Sequence, residues 1–120
     1  MIDPALDPSW LPVPDAAELL GIQFRTLRNQ IRDGELVTVR VEGLEGARIP
    51  SAFIHEGAEG PELVDGLRGS VTQLRDSGMD DEALTRWLLE PNEELGMSPA
   101  AALAAGQKHA VRRAALALAL

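Results

Sequence analysis

The chain has 120 residues, no cysteine, a formal charge of −8 and 45% hydrophobic residues. Those values exclude a disulfide framework, a zinc ribbon and a thiol nucleophile, and they describe an ordinary globular chain rather than a disordered one. No basic-then-apolar leader opens it and no apolar run reaches about 18 residues, so a cytoplasmic protein without membrane contact is expected.

The first expected element begins at Asp15, which follows Pro14 and precedes Ala16, Ala17, Leu19 and Leu20. Its carboxylate is placed to cap unpaired amides at a helix start. Gly21 ends that helix at a tight corner, and Ile22 is positioned to pack inside the elbow. In a second helix, Phe24, Leu27 and Ile31 recur three and four residues apart and predict one apolar stripe lying on the first helix. Two helices joined by such a corner make a helix-turn-helix.

The opposite face of the second helix carries Arg25, Arg28, Asn29 and Arg32, with Gln23 and Thr26 at its leading end. Arginine pairs with guanine or grips phosphate, and Asn or Gln pairs with adenine in the major groove. Recognition helices read bases with their first turns, so Gln23, Arg25, Arg28 and Asn29 are expected to lie deepest, with Arg32 on phosphate. The bland alternative is a solvated charged face on an amphipathic helix.

After Gly34, Leu36 to Val41 is rich in β-branched residues, Gly43 to Gly46 is turn-like, and Ala47 to Ile49 offers a short return strand before Pro50. This is a wing-sized hairpin. Val37, Val39, Val41 and Ile49 are its expected packing residues, while Arg40 and Arg48 flank the tip and are expected to grip phosphate or the minor groove beside the second helix. Glu42 and Glu45 oppose that role.

His55 to Pro61 has loop composition and predicts a division into a DNA-binding domain at residues 1–56 and a helical domain at 57–120. Four helices are expected in the second part. Glu62 to Asp76 carries Leu63, Leu67, Val71 and Leu74 in helical register. Asp80 to Leu89 opens with acids suited to a helix N-terminus, presents Leu84, Trp87 and Leu88, and ends before Pro91. Ser98 and Pro99 are a cap and a first turn, and Gly106 separates that helix from a last one over Gln107 to about Ala119. In the last helix Ala110, Val111, Ala114 and Leu118 form one stripe, while Leu116 and Leu120 fall elsewhere; burial is favoured, and pairing with a second copy is the alternative. Lys108, His109, Arg112 and Arg113 form a local basic cluster, read as macrodipole partners of the helix.

The run AELLGI, then RTLRNQIRDGELV, then a glycine-bearing hairpin and IP resembles the MerR and excisionase type of winged helix. Together with RWLLEPNEELGMSPAAAL and HAVRRAALALA, the chain from Trp10 onward resembles a family of small actinobacterial DNA-binding proteins, one of them a mycobacterial serine/threonine-kinase substrate. The resemblance implies a winged helix-turn-helix that binds double-stranded DNA and a helical C-terminal domain peculiar to the family. Here Ser9 is the only hydroxyl ahead of the expected fold, which puts control through a phosphorylated tail in doubt. Leu84 to Leu103 also resembles, over a shorter stretch, the toxin-binding domain of Xre–ParS antitoxins. That likeness implies a protein-interaction module whose C-terminal helices hold a partner.

Net charge argues against strong DNA binding, because a pI near 4.6 repels a polyanion at long range. Distribution softens this: Ile22 to Arg48 holds five arginines against four carboxylates, a local +1 that leaves −9 elsewhere. With about four phosphates contacted, the log–log salt slope would be about −3.6. Catalysis has no support. His55 and His109 stand alone, there is no phosphate-binding glycine loop or nucleophile elbow, and Asp80, Asp81 and Glu82 read as caps rather than a metal site.

The sequence therefore predicts a mainly α fold with a small β-hairpin wing, a winged helix-turn-helix followed by a C-terminal helical bundle. It predicts a transcriptional regulator at the nucleoid, not an enzyme, that needs no cofactor or metal. Its expected partners are DNA and, as open alternatives, a second copy or a protein bound through the C-terminal domain.

Overall fold

The computed structural model describes residues 1–119. The N-terminal segment is anchored before the first helix begins. A 3-10 turn over Pro4–Leu6 is capped by Asp3, whose carboxylate accepts from the Ala5 amide at 2.9 Å. The buried carboxylate of Asp7 then accepts from the Ser9 amide at 2.9 Å, from the Ala52 amide at 3.0 Å and from the Ser51 hydroxyl. A charge removed from water needs several such donors, and these come from segments more than forty residues apart.

Strand β1 (Trp10–Pro12) follows and leads directly into helix α1 (Val13–Leu20). The helix starts three residues earlier than its sequence suggests: Pro12, in place of Asp15, stands at the N-cap position without a side-chain bond. Asp15 is not the cap. It sits in the first turn, where its charge still opposes the positive end of the helix dipole. Gly21 closes α1 in the left-handed region at φ 69°, a conformation that favours glycine because it has no Cβ. Its amide bonds back to Glu18 at 3.1 Å, that of Ile22 returns to Ala17 at 3.1 Å, and the chain turns into α2 (Phe24–Arg32).

Strands β2 (Val39–Arg40) and β3 (Ala47–Pro50) form the expected hairpin, with Val39 opposite Arg48 and Arg40 opposite Ala47. Strand β1 pairs antiparallel with the other edge of β3, in the register Trp10–Pro50, Leu11–Ile49 and Pro12–Arg48. The sheet order is therefore β1-β3-β2. Ile2 adds a parallel bridge to Val41 and is fully buried. The β-branched run forms less strand than expected, but Leu36, Val37, Val39, Val41 and Ile49 are all buried, as its pattern predicts.

The segment expected to be a loop is a second hairpin. Strands β4 (Ile54–Gly57) and β5 (Gly60–Leu63) pair around a two-residue turn at Ala58 and Glu59, with His55 opposite Glu62. Leu63 accordingly belongs to a strand. The next helix, α3 (Leu67–Asp76), begins five residues later than expected.

The remaining helices are α4 (Asp81–Leu89), α5 (Pro99–Ala104) and α6 (Lys108–Leu116). Two caps work as the sequence indicates: Asp80 accepts from the Ala83 amide at 2.8 Å, and the Ser98 hydroxyl from Ala101 at 3.1 Å. Helix α6 is shorter than expected and passes into a 3-10 turn over Ala117–Ala119. Val111, Ala114 and Ala115 are buried, whereas Leu116 and Leu118 are exposed; Leu120 lies outside the described residues.

One apolar cluster joins both halves. Leu27, Ile49 and Phe53 belong to the same core as Leu67, Leu74, Leu84, Leu88 and Leu103. The fold is thus mainly α, as expected, but carries two antiparallel sheets in place of a lone wing.

Candidate nucleic-acid interface

Helix α2 buries one narrow stripe and exposes the rest. Leu27 is fully buried and Ile31 half-buried against the core. Phe24, expected to complete that stripe, does not: it remains 44% exposed at the start of the helix. The Arg28 guanidinium, one turn later, lies 5.6 Å from the centroid of its ring, within cation–π range. The Phe24 ring therefore serves the surface, by holding an arginine, rather than the core.

Arg25, Arg28, Asn29 and Arg32 are all exposed and together line a shallow depression of about 380 Å³. Gln23 is exposed at the N-cap of α2; its carbonyl accepts from the Leu27 amide at 3.1 Å and its side chain makes no capping bond. Thr26 is exposed in the first turn. Among the described residues no carboxylate lies within 4.0 Å of the Arg25 or Arg28 guanidinium, while Arg32 leans on Asp33 at 3.5 Å. The face thus offers cations whose charge is not already neutralised, beside the amide side chains of Gln23 and Asn29.

The wing treats its two arginines differently. Arg40 is exposed on β2, and among the described residues it forms no ion pair. Arg48 is half-buried; its Nε donates to the Glu45 carbonyl at 3.1 Å and a terminal nitrogen donates to the Trp10 carbonyl at 3.3 Å. Arg48 ties the wing turn to β1. Glu42 and Glu45 are exposed around that turn, where they repel phosphate. Glu35, just beyond α2, is drawn away by Arg68 at 3.4 Å.

Two helices joined at a glycine corner and followed by a β-hairpin packed on the same core form a winged helix-turn-helix. Residues 2–54 match the family profile described as DNA-binding protein Rv2175c, wHTH domain, and residues 64–119 match that of the Rv2175c C-terminal domain of unknown function. The chain belongs to the Rv2175c family of actinobacterial winged helix-turn-helix proteins. It is similar to DNA-binding protein Rv2175c of Mycobacterium tuberculosis, with 37% identity over 95 residues. That match covers 78% of this chain and 62% of the relative's length. The NMR structure of Rv2175c superposes with a TM-score of 0.79 at 32% identity, over 100% of this chain and 86% of the Rv2175c chain.

Among the described residues, no group of three or more His, Asp or Glu side chains is arranged to hold a metal ion, and no helix is long and apolar enough to cross a membrane. His55 faces Glu62 across β4 and β5 at 3.2 Å, and His109 lies on α6, so the two imidazoles belong to separate elements.

Proposed function

We propose that this chain binds double-stranded DNA through α2 and acts as a transcriptional regulator in the cytoplasm, at the nucleoid. The observation that carries the reading is the exposed row Arg25, Arg28 and Asn29, whose two arginines form no ion pair among the described residues in a protein of net charge −8. Its similarity to a protein named for DNA binding supports the same reading. Gln23, Arg25, Arg28 and Asn29 enter the major groove, and Thr26 and Arg32 meet the flanking phosphates. Arg40 reaches phosphate from the wing, and Arg48 contributes by holding the wing turn in place, with one nitrogen left for the backbone. The DNA-contacting unit in this reading is the winged helix-turn-helix within residues 1–56; the boundary expected after residue 56 falls inside the β4–β5 hairpin, and the helices from Leu67 onward share one core with that unit. Two-fold pairing of the chain would double a footprint that is small for one winged helix.

Fluorescence anisotropy of a labelled duplex from the upstream region of its own gene, beside a scrambled duplex, tests this at about 50 and about 200 mM salt. Tighter binding to the upstream duplex, weakened by salt, is the expected result. Equal binding to both would refute sequence reading, and no binding to either at the lower salt would refute DNA binding altogether.

A further inference from the structure

Of the large apolar side chains on α2, Leu27 is fully buried and Ile31 packs against the core, whereas the Phe24 ring is 44% exposed and lies outside the core cluster. A lone exposed apolar side chain is ordinary on a protein surface. Two features set this one apart.

The first is its place. Phe24 is the first residue of α2, directly after the Gln23 N-cap, and Arg25, Arg28 and Asn29 around it are all exposed. Recognition helices present the residues of their leading turns to base edges. The second is its partner. The Arg28 guanidinium lies 5.6 Å from the ring centroid, and Arg28 forms no ion pair among the described residues, so its donors stay available. Residues four apart on a helix share one side, so ring and guanidinium leave the helix together. Successive bases of a duplex strand are about 3.4 Å apart, and two groups at this separation therefore meet bases no more than two steps from each other.

The chemistry of the major groove then narrows the target. The edges of the four bases offer donors and acceptors, with a single apolar group, the C5-methyl of thymine. A phenyl ring placed against any other edge covers a polar atom that it cannot satisfy. Arginine, in contrast, pairs twice with O6 and N7 of guanine.

We infer that Phe24 is a specificity-determining residue that packs on the C5-methyl group of a thymine, while Arg28, held over its ring, pairs with a guanine one or two base steps away. This rests on the reading of α2 as the DNA-contacting helix and adds what that helix selects. The cation–π contact fixes the spacing of the two groups, so they read as one unit.

The test begins by selecting duplexes from a randomised pool on the full chain. The enriched duplex is then prepared with thymine and with deoxyuridine, which differ by the methyl alone and keep the same pairing and phosphates. The enriched motif should hold a thymine within two steps of a guanine. In anisotropy titrations the deoxyuridine form should bind about fourfold more weakly for each methyl contacted. Phe24→Ala should bind the two forms equally with its circular dichroism unchanged, whereas Arg40→Ala should weaken both forms alike and keep the preference for thymine. A ring that only holds Arg28 gives a different result: the parent binds both forms equally and Phe24→Ala weakens both by the same factor. That result, a motif without thymine, or a preference that survives Phe24→Ala would overturn the inference and leave DNA binding standing. Enrichment of no sequence at all would remove sequence reading by α2, and the inference with it.

Discussion

The Arg28 guanidinium lies 5.6 Å over the ring of Phe24, one turn earlier on the same exposed face of α2. An aromatic ring left in solvent costs burial energy that the fold could have used, and the return is an arginine held in place without a carboxylate to neutralise it. Pre-ordering of this kind lowers the entropy lost when a long side chain meets a phosphate or a base.

Phe24→Ala is therefore expected to weaken DNA binding severalfold while changing stability by no more than about 1 kcal/mol. Arg25→Ala with Arg28→Ala should abolish binding and leave the circular dichroism spectrum and thermal midpoint unchanged, because both side chains are exposed. Anisotropy and thermal melts of the same samples separate the two effects. Retained affinity in the double variant would remove α2 from the interface.

Asp7 should behave as a structural carboxylate. It is 3% exposed and receives the Ser9 amide, the Ala52 amide and the Ser51 hydroxyl. Asp7→Ala strips three donors of their acceptor, and a loss of about 2–4 kcal/mol is expected in urea unfolding. A loss below 0.5 kcal/mol, within the usual range of surface changes, would show that water replaces the carboxylate at no cost.

The two tryptophans should differ. Trp10 is 8% exposed and its indole donates to the Pro4 carbonyl at 2.8 Å, so Trp10→Ala should cost about 3–5 kcal/mol. Trp87 is only half-buried on α4, and Trp87→Ala should cost about 1–3 kcal/mol. Equal losses would contradict the burial difference.

Glu82 gives the chain a specific acid sensitivity. Hydrogen bonds from the amino group of Met1 and then from Arg86 hold its carboxyl below its ordinary pKa. A carboxylate with a lowered folded-state pKa stabilises the fold above its unfolded value, and that contribution is lost as pH falls through the folded one. Glu82→Gln should therefore lower the thermal midpoint at neutral pH, and the difference from the parent should shrink as the pH falls through the lowered value. A difference independent of pH would assign the effect to packing.

Local signals in the sequence were reliable where neighbours along the chain alone decide the structure. Gly21 ends a helix because the left-handed corner disfavours a Cβ, and Asp80 and Ser98 cap helices because their side chains reach amides three residues on. The β-branched positions from Val37 to Val41 pack as their pattern requires. The polar face of α2 was legible for the same reason, since helical spacing alone puts Arg25, Arg28, Asn29 and Arg32 on one side.

Segments distant in sequence decided the rest. Pairing of β1 with β3 joins Trp10 to Pro50, and no local pattern in a three-residue strand encodes a partner forty residues away. The β4–β5 hairpin is built from glycine, proline and acids that read as loop, yet it pairs from Gly57–Gly60 to Ile54–Leu63, and the Val64 amide continues the pairing to the Phe53 carbonyl at 3.0 Å. Periodicity puts Phe24 on the stripe of Leu27 and Ile31 but does not say where the core stops, and the ring lies beyond its edge. By itself the sequence determined the helices, their corners and the row of arginines, all short-range consequences of backbone sterics and spacing. Only the tertiary structure decided which arginines remain free: Arg48 is held by the Trp10 carbonyl and Arg68 by Glu35, whereas Arg25 and Arg28 meet no such partner, because long-range packing sets which groups come within bonding distance.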